Sequence, residues 1–484
     1  MSRFMCTGGT PTTFLGFMIE FVTLGNSNEI SASCHYLNLR GTGILLDAGQ
    51  DPNTDGVGGL PAYTWLEKHM DSGLDYAILS HAHHDHIGSL PVMLRHFPHA
   101  RVHMTQPTRL LLDFLLPESA RLQQKRFKEG VNPLPPMFNE EQAEMAAYLY
   151  RSWPLNKTFD LNEGVRAEAH VSATFYHAGH VLGAVGTMLE TERDGQPFRV
   201  FFSGDLNLRA QAIQPGAEIP EGPIDVLILE STLGSDPIPE QMTRKMEEDR
   251  FLESLQRTIA RKGHVLIPAF ALGRSQEILS MLGRFKTQKR LPEDLTIYTA
   301  GSQRAISDIY DRTRFISPRL DEKFEVYGVE QKRLPKSKTR IETLIREGAP
   351  SVFILGSGMM FDRTLSHRLA QLMMHDARHS IYFVGYIKPD SPAMALLEAA
   401  QKRHKLQFDA HHEQAFVKCE VDRFRFSGHS NRRELLQVIE KLKPRKVLLV
   451  HGEPAAREWM KDNILHFYPE TAVVLPNQCE PIYL

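Results

Sequence analysis

The chain has little covalent or thiolate chemistry to hold it together. Of its 484 residues only four are cysteine, Cys6, Cys34, Cys419 and Cys479, and they are scattered without a C-x-x-C pair. That argues against a disulfide framework and a thiolate zinc site, and it suits a reducing compartment. No apolar run approaches the roughly 20 residues of a membrane span, and the N-terminal residues lack the apolar stretch of a signal peptide. Neither sign of charge is in excess: 56 Lys and Arg stand against 58 Asp and Glu, for a net charge of −2. With no overall basic field, any nucleic-acid contact has to come from a local patch. Internal repeats and low-complexity tracts are missing too. The 42% hydrophobic content over this length predicts two or three domains with sizeable cores, in a soluble cytoplasmic protein without membrane contact.

Histidine, by contrast, is concentrated. Residues 80–88 read Ser-His-Ala-His-His-Asp-His-Ile-Gly, between an expected buried strand at 75–79 and an expected helix at 87–97. Four imidazoles and a carboxylate in so few residues are costly to place at a strand end unless something holds them. A pair of divalent cations would do so. His81 and His83, two residues apart, can face one cation, and Asp85 and His86 then turn toward a second as the chain enters the helix. His84 breaks the alternation and is expected to point away.

Along the rest of the chain, residues 1–16 read as an arm. Strands are expected at 17–24, 34–39 and 44–48, the last two joined by a hairpin turn at 41–43. Asp47 is either a turn former or a carboxylate that orients a ligand imidazole. A helix is expected at 108–128, where Lys125, Arg126 and Lys128 read as a solvated face, and another at 139–151. Strands over 165–176 lead to His180, which taken alone is as well explained as a loop residue as a ligand. A strand at 199–202 precedes Asp205, and one at 225–229 delivers Glu230. Packing explains poorly an acidic residue directly after an apolar strand. From about residue 242 helices and strands alternate, predicting a parallel sheet covered on both faces and a separate α/β domain. Within it the basic stretch 331–340 reads as an exposed loop. Beyond 418, His429 precedes a helix at 432–442, and a strand at 446–450 ends in His451.

Taken in order, His81, His83, Asp85, His86, His180, Asp205 and His451 each fall at or just past the C-terminal end of an expected strand. That order resembles the metallo-β-lactamase fold. A long α/β block between Glu230 and His429, flanked by Glu-Ser-Thr at 230–232 and Phe-Ser-Gly-His at 426–429, narrows the resemblance to the β-CASP nucleases. The stretches 176–184, 267–274 and 450–453 are similar to the RNA-processing branch, which holds the cleavage and polyadenylation endonucleases and, more distantly, ribonuclease J.

The resemblance implies an αββα sandwich over 17–235 and 418–484 with a β-CASP α/β domain of parallel-sheet type inserted at 236–417. It implies two zinc ions, with manganese tolerated: the first held by His81, His83 and His180, the second by Asp85, His86 and His451, and Asp205 bridging both. Asp85, His429 and Glu230 are the implied catalytic residues, His429 as proton donor with Glu230 orienting it. A histidine at 451 goes with RNA in that family. Ser357, Gly358 and Arg274 are the expected phosphate contacts. The implied reaction is hydrolysis of single-stranded RNA by a water activated at the zinc pair, leaving 5′-phosphate and 3′-hydroxyl ends, with endonuclease and 5′-exonuclease action both open. A single-stranded DNA nuclease, a small-molecule (thio)ester hydrolase and a non-catalytic scaffold subunit are the alternatives, and a homodimer is the expected association. The chain departs from the family pattern at 361–364, where Phe-Asp-Arg-Thr replaces Gly-Gly, at 389–392, at Leu233 and at Asn431.

Overall fold

Three sheets carry the architecture, and each has a sequence reason. The computed structural model describes residues 19–26, 29–52, 54, 56–70, 73–162, 169–408 and 413–484. The arm expected at 1–16, the start of the strand expected at 17–24 and the first part of that expected at 165–176 lie outside the described residues.

The first sheet runs in the order Ile482–Tyr483, Ile19–Thr23, His35–Leu39, Thr42–Leu46, Tyr76–Ile78, Arg101–Met104 and Tyr150–Ser152. The second runs Ala472–Val474, Lys446–Val450, Val226–Glu230, Gln196–Phe202, Val185–Arg193, Ser172–His177 and Thr158–Asp160. Alternate residues of both sheets meet in one core that includes Phe21, Leu37, Ile44, Ile78, Phe175, Leu189, Val200, Phe202, Ile228 and Leu448. The intervening residues, Val22, Tyr36, Leu45, Ala77, Leu227 and Leu449 among them, point the other way, into the cluster shared with the helices. Strands buried on both faces in this way make the αββα sandwich.

The third sheet, Lys332–Arg333, Thr296–Thr299, Ser351–Leu355, Val265–Pro268, Ser380–Phe383 and Glu420–Arg423, is parallel throughout. Its alternation is equally clean. Val265, Ile267, Val352 and Ile354 enter the cluster shared with the sandwich, and Leu266, Phe353, Leu355 and Ile381 a cluster of their own. The first of these clusters is continuous from the sandwich into the inserted domain, so the two units share buried apolar surface.

Several expectations shift in detail. The turn between the second and third strands is Arg40–Gly41, both at positive φ, with Leu39 already opposite Thr42. This is the two-residue hairpin that matches strand twist, so 42–43 belong to a strand and not to the turn. The helix expected at 139–151 stops at Ala146, and Tyr150–Ser152 becomes an edge strand against Arg101–Met104. The basic stretch 331–340 is not simply a loop: Lys332–Arg333 pairs at the sheet edge and Lys338–Glu347 is a helix capped by Ser337. The inserted sheet takes its last strand from Glu420–Arg423, past the boundary expected at 417. No described helix is long and apolar enough to cross a membrane.

Candidate metal centre and cleft

The strand Tyr76–Ile78 ends in Leu79 and Ser80, and the chain then turns into the short helix His84–Ile87. Gly49 lies against this turn. A Cβ there would come within 1.8 Å of the Asp85 carbonyl, so only glycine lets the two segments touch. The contact is used: Ser33 N donates to Asp85 O (2.7 Å), and Ala48 N to His86 O (2.8 Å).

The histidines gather around two foci. His81 Nε2 and His180 Nε2 each lie 3.1 Å from His83 Nδ1, and 3.6 and 3.5 Å from Asp205 Oδ2. Asp205 Oδ2 is also 3.4 Å from His86 Nε2, and its other oxygen is 3.3 Å from His451 Nδ1. Asp85 Oδ2 stands 3.9 Å from His86 Nε2 and 3.6 Å from His451 Nε2. Two candidate ligand sets result, His81–His83–His180–Asp205 and Asp85–His86–His451, the atoms of each within 4.8 Å of one another, and Asp205, Glu230 and His429 form a third group by the same measure; Asp205 also lies within 3.4 Å of His86 and His451.

These residues fit divalent cations on three counts. Ligands at 2.0–2.1 Å in tetrahedral array stand about 3.3 Å apart, close to the 3.1–3.6 Å separations in the first set. His86 Nε2, His451 Nε2 and Asp205 Oδ1 are buried without hydrogen-bond partners, an expense that coordination removes. The donors are all nitrogen or oxygen, which suits zinc and manganese alike.

An outer ring of partners fixes which nitrogen faces inward. His86 Nδ1 lies 2.7 Å from Asp47 Oδ2, so Asp47 orients the His86 imidazole. Ser33 and Ser80 donate to the same carboxylate through their hydroxyls, and Ser80 also through its N–H. His180 Nδ1 is 2.7 Å from Gly428 O, and His83 Nε2 is 3.4 Å from Leu272 O. Thr232 Oγ1 meets His451 Nδ1 at 3.2 Å. Ser33, Ser80, Thr232 and the carbonyls of Leu272 and Gly428 were not legible as site residues, because serine, threonine and backbone carry no pattern of their own. The one available signal was that Ser80 and Thr232 sit at strand ends beside ligands.

The electrostatics follow from burial. Loss of hydration, together with neighbouring imidazoles, lowers His81, His83 and His180 below their ordinary range, which keeps them neutral and able to coordinate. Burial also opposes charge on His86, but the carboxylates of Asp205, Asp47 and Asp85 outweigh it and raise that imidazole. The imidazoles of His451 and His86 similarly overcome burial at Asp205 and hold its carboxyl well below the usual range.

His429 stands over this centre, its ring 4.5 Å from that of His180. Its Nδ1 lies 3.0 Å from Glu230 Oε1 and 3.2 Å from Oε2. Glu230 is 1% exposed, held by the N–H groups of Leu206 and Thr232. Burial works against a charged His429, and the Glu230 carboxylate overrides it, pushing the imidazole up to about 9. His84 belongs to neither ligand set.

The centre opens into a cleft between the sandwich and the inserted domain, a cavity of about 240 Å³. Of the expected phosphate contacts, Arg274 reaches the wall, but its guanidinium is occupied: it is 7% exposed and donates to Phe426 O (2.7 Å) and to Gln211 Oε1. Gln211 in turn donates to the carbonyls of Gly179 and His180. Arg274 thus braces the loops that carry His180 and His429. Ser357 caps its own loop, accepting from Met359 N, and the wall beside it is made by Met359 and Phe361.

A two-sheet sandwich with a histidine–aspartate centre at its strand ends defines the metallo-β-lactamase class. Family comparison agrees over consecutive segments: the metallo-beta-lactamase superfamily matches 28–231, the Beta-Casp domain 275–396, and the Zn-dependent metallo-hydrolase RNA specificity domain 415–476. The chain belongs to the β-CASP family of metallo-β-lactamase-fold proteins. It is similar to the endoribonuclease YSH1 of Eremothecium gossypii, 28% identical over 96% of this chain and 60% of that one. It is also similar to YSH1 of Saccharomyces cerevisiae, 28% identical over 92% and 56%, and to cleavage and polyadenylation specificity factor subunit 3 of Dictyostelium discoideum, 25% identical over 96% and 57%. The chain therefore spans a little over half the length of these relatives. Among solved structures, a protein of unknown function from Enterococcus faecalis V583 shares the fold, with a TM-score of 0.52 at 15% identity over 96% of this chain and 100% of that one.

Proposed function

We propose that the protein is a metal-dependent ribonuclease that hydrolyses phosphodiester bonds within single-stranded RNA, leaving 5′-phosphate and 3′-hydroxyl ends. The observation that carries this reading is the pairing of two cation-competent ligand sets, shared through Asp205, with a buried His429–Glu230 couple facing the same cleft. The similar proteins named endoribonucleases and the RNA specificity family match over 415–476 support RNA as the substrate.

His81, His83 and His180 would hold one zinc ion and Asp85, His86 and His451 the other, with Asp205 serving both. When bound, the cations supply a water of lowered pKa and offset negative charge on the phosphate. The chain's own residues do the rest. His429 Nδ1–H donates to Glu230, which leaves Nε2 as the proton donor to the departing 3′ oxygen. Glu230, fixed by two backbone N–H groups, sets the ring's direction and keeps it protonated. The inserted domain walls the cleft and restricts it to a strand that can enter without a complement.

The test uses RNA and DNA oligonucleotides of one sequence, labelled at either end, incubated with the metal-supplemented chain, with and without chelator, and with His429→Ala. Internal cleavage of RNA that chelator abolishes and His429→Ala suppresses supports the reading. Preferred DNA cleavage, or turnover of thioesters with His429→Ala fully active, overturns it.

A further inference from the structure

The cleft carries two large apolar side chains that packing does not explain. Phe270 follows the strand Val265–Pro268 and is 41% exposed, and Phe361 follows Ser351–Leu355 and is 39% exposed. Both line the cavity that contains His83, Asp205, His429 and His451. An exposed phenylalanine on a convex surface needs no explanation, but two on the wall of a concave site are an unfilled contact surface. The ring centre of Phe270 lies 6.5 Å from that of His83, so a planar group resting on it would belong to the unit next to whatever the ligand sets hold. Lys388, Arg423 and Arg425 line the same cavity, with Arg425 ion-paired to Asp236 and Arg423 Nε donating to the Gly385 carbonyl. Cations that follow a phosphate backbone and rings that take bases are the two components of a single-strand binding track.

We propose that Phe361, together with Phe270, forms a stacking platform for unpaired bases next to the scissile phosphate, and that Phe361 determines the preference for a single strand. The inference rests on the ribonuclease reading and deepens it. A base can lie flat on these rings only when it is free of a partner strand, so the platform selects unpaired RNA. Because every base has a π-face, it does so with little regard to sequence. Purines, with more ring area, bind it better than pyrimidines.

The test measures binding of a short fluorescently labelled single-stranded RNA to the full-length, metal-supplemented chain, with His429→Ala as the slow-cleaving parent. A companion series replaces one nucleotide at a time with an abasic residue. Phe361→Ala is expected to weaken binding by about 5- to 150-fold, the range that base–aromatic stacking covers in alanine substitutions. Phe361→Trp restores it. One abasic position costs the parent a similar factor and costs the Phe361→Ala protein nothing further. Unchanged affinity in Phe361→Ala, or abasic penalties that add in full to it, overturns the platform while the ribonuclease reading stands. A parent that binds no single strand at all overturns both.

Discussion

Replacing Asp47 by asparagine removes one charge and almost no volume, and it acts directly on the centre. Asp47 is fully buried. One carboxylate oxygen accepts from Ser80 N at 2.7 Å; the other accepts from the hydroxyls of Ser33 and Ser80, both at 3.0 Å, and faces His86 Nδ1 at 2.7 Å. An amide can keep only one acceptor. With its oxygen toward Ser80 N, its NH₂ confronts His86 Nδ1 and favours the tautomer that carries the proton on Nε2, the nitrogen turned toward Asp205 and Asp85. That nitrogen can no longer coordinate. With the amide reversed, the backbone bond to Ser80 is lost instead. A hydrogen bond to a charged group contributes about 1.5–3 kcal/mol, which corresponds to roughly a 10- to 150-fold change in an equilibrium constant. Loss of an outer partner of a ligating histidine falls in the same range, about 10- to 100-fold in metal affinity. Competition against a chromophoric chelator measures it, with circular dichroism to verify the fold. Asp47→Asn is expected to weaken zinc binding by about that factor while the fold persists. Affinity within about twofold of the parent would refute the argument that Asp47 sets the ligand tautomer.

Two further perturbations act elsewhere. Glu230→Gln keeps an acceptor for the Leu206 or Thr232 N–H but removes the charge beside His429. RNA cleavage should fall toward the loss caused by His429→Ala, about 10²- to 10⁴-fold for a general acid, with metal content unchanged; a loss of bound metal would place Glu230 in the ligand chemistry instead. His103 is buried against Trp153, whose Nε1–H donates to its Nδ1 at 2.9 Å. Burial, helped by Arg101 and Arg151, lowers its imidazole to about 4. The unfolded chain takes up the proton near pH 6.5 and the folded one only near 4, so stability is full above pH 6.5 and falls between those values. The shift allows a loss of up to about 3 kcal/mol. His103→Gln, which keeps an acceptor for Trp153, should flatten that slope in urea titrations at stepped pH; an unaltered slope would mean that other groups cause it.

The residues that gather at the centre were legible in the linear order because they are short polar interruptions after apolar strands. His81, His83, Asp85 and His86 lie within one short stretch; Asp205 comes three residues after one buried strand and His451 directly after another. The inserted parallel sheet was legible for the same reason, since strands such as 265–268 and 351–355 are apolar on both sides and alternate with amphipathic helices. What pattern could not supply was anything depending on a partner distant in the chain. The edge strand at 150–152 carries no run of its own and exists because Arg101–Met104 offers it a free edge. Arg274 reads as a cation available for phosphate, and only the approach of Phe426 and Gln211, 152 and 63 residues away, turns it into a brace. Phe361 stood out in the sequence only as part of a departure from the family pattern, and it is the strand order that leaves it and Phe270 in the mouth of a cleft.

The chain by itself determined which side chains could take part in chemistry, and that each would stand at a strand end, because hydrophobic periodicity and the cost of burying charge are local constraints. The tertiary structure alone decided which nitrogens of those histidines face one another, how near Asp205 comes to each cluster, and which apolar rings stay uncovered. Those outcomes depend on distances across two sheets and an inserted domain, and no stretch of sequence contains them.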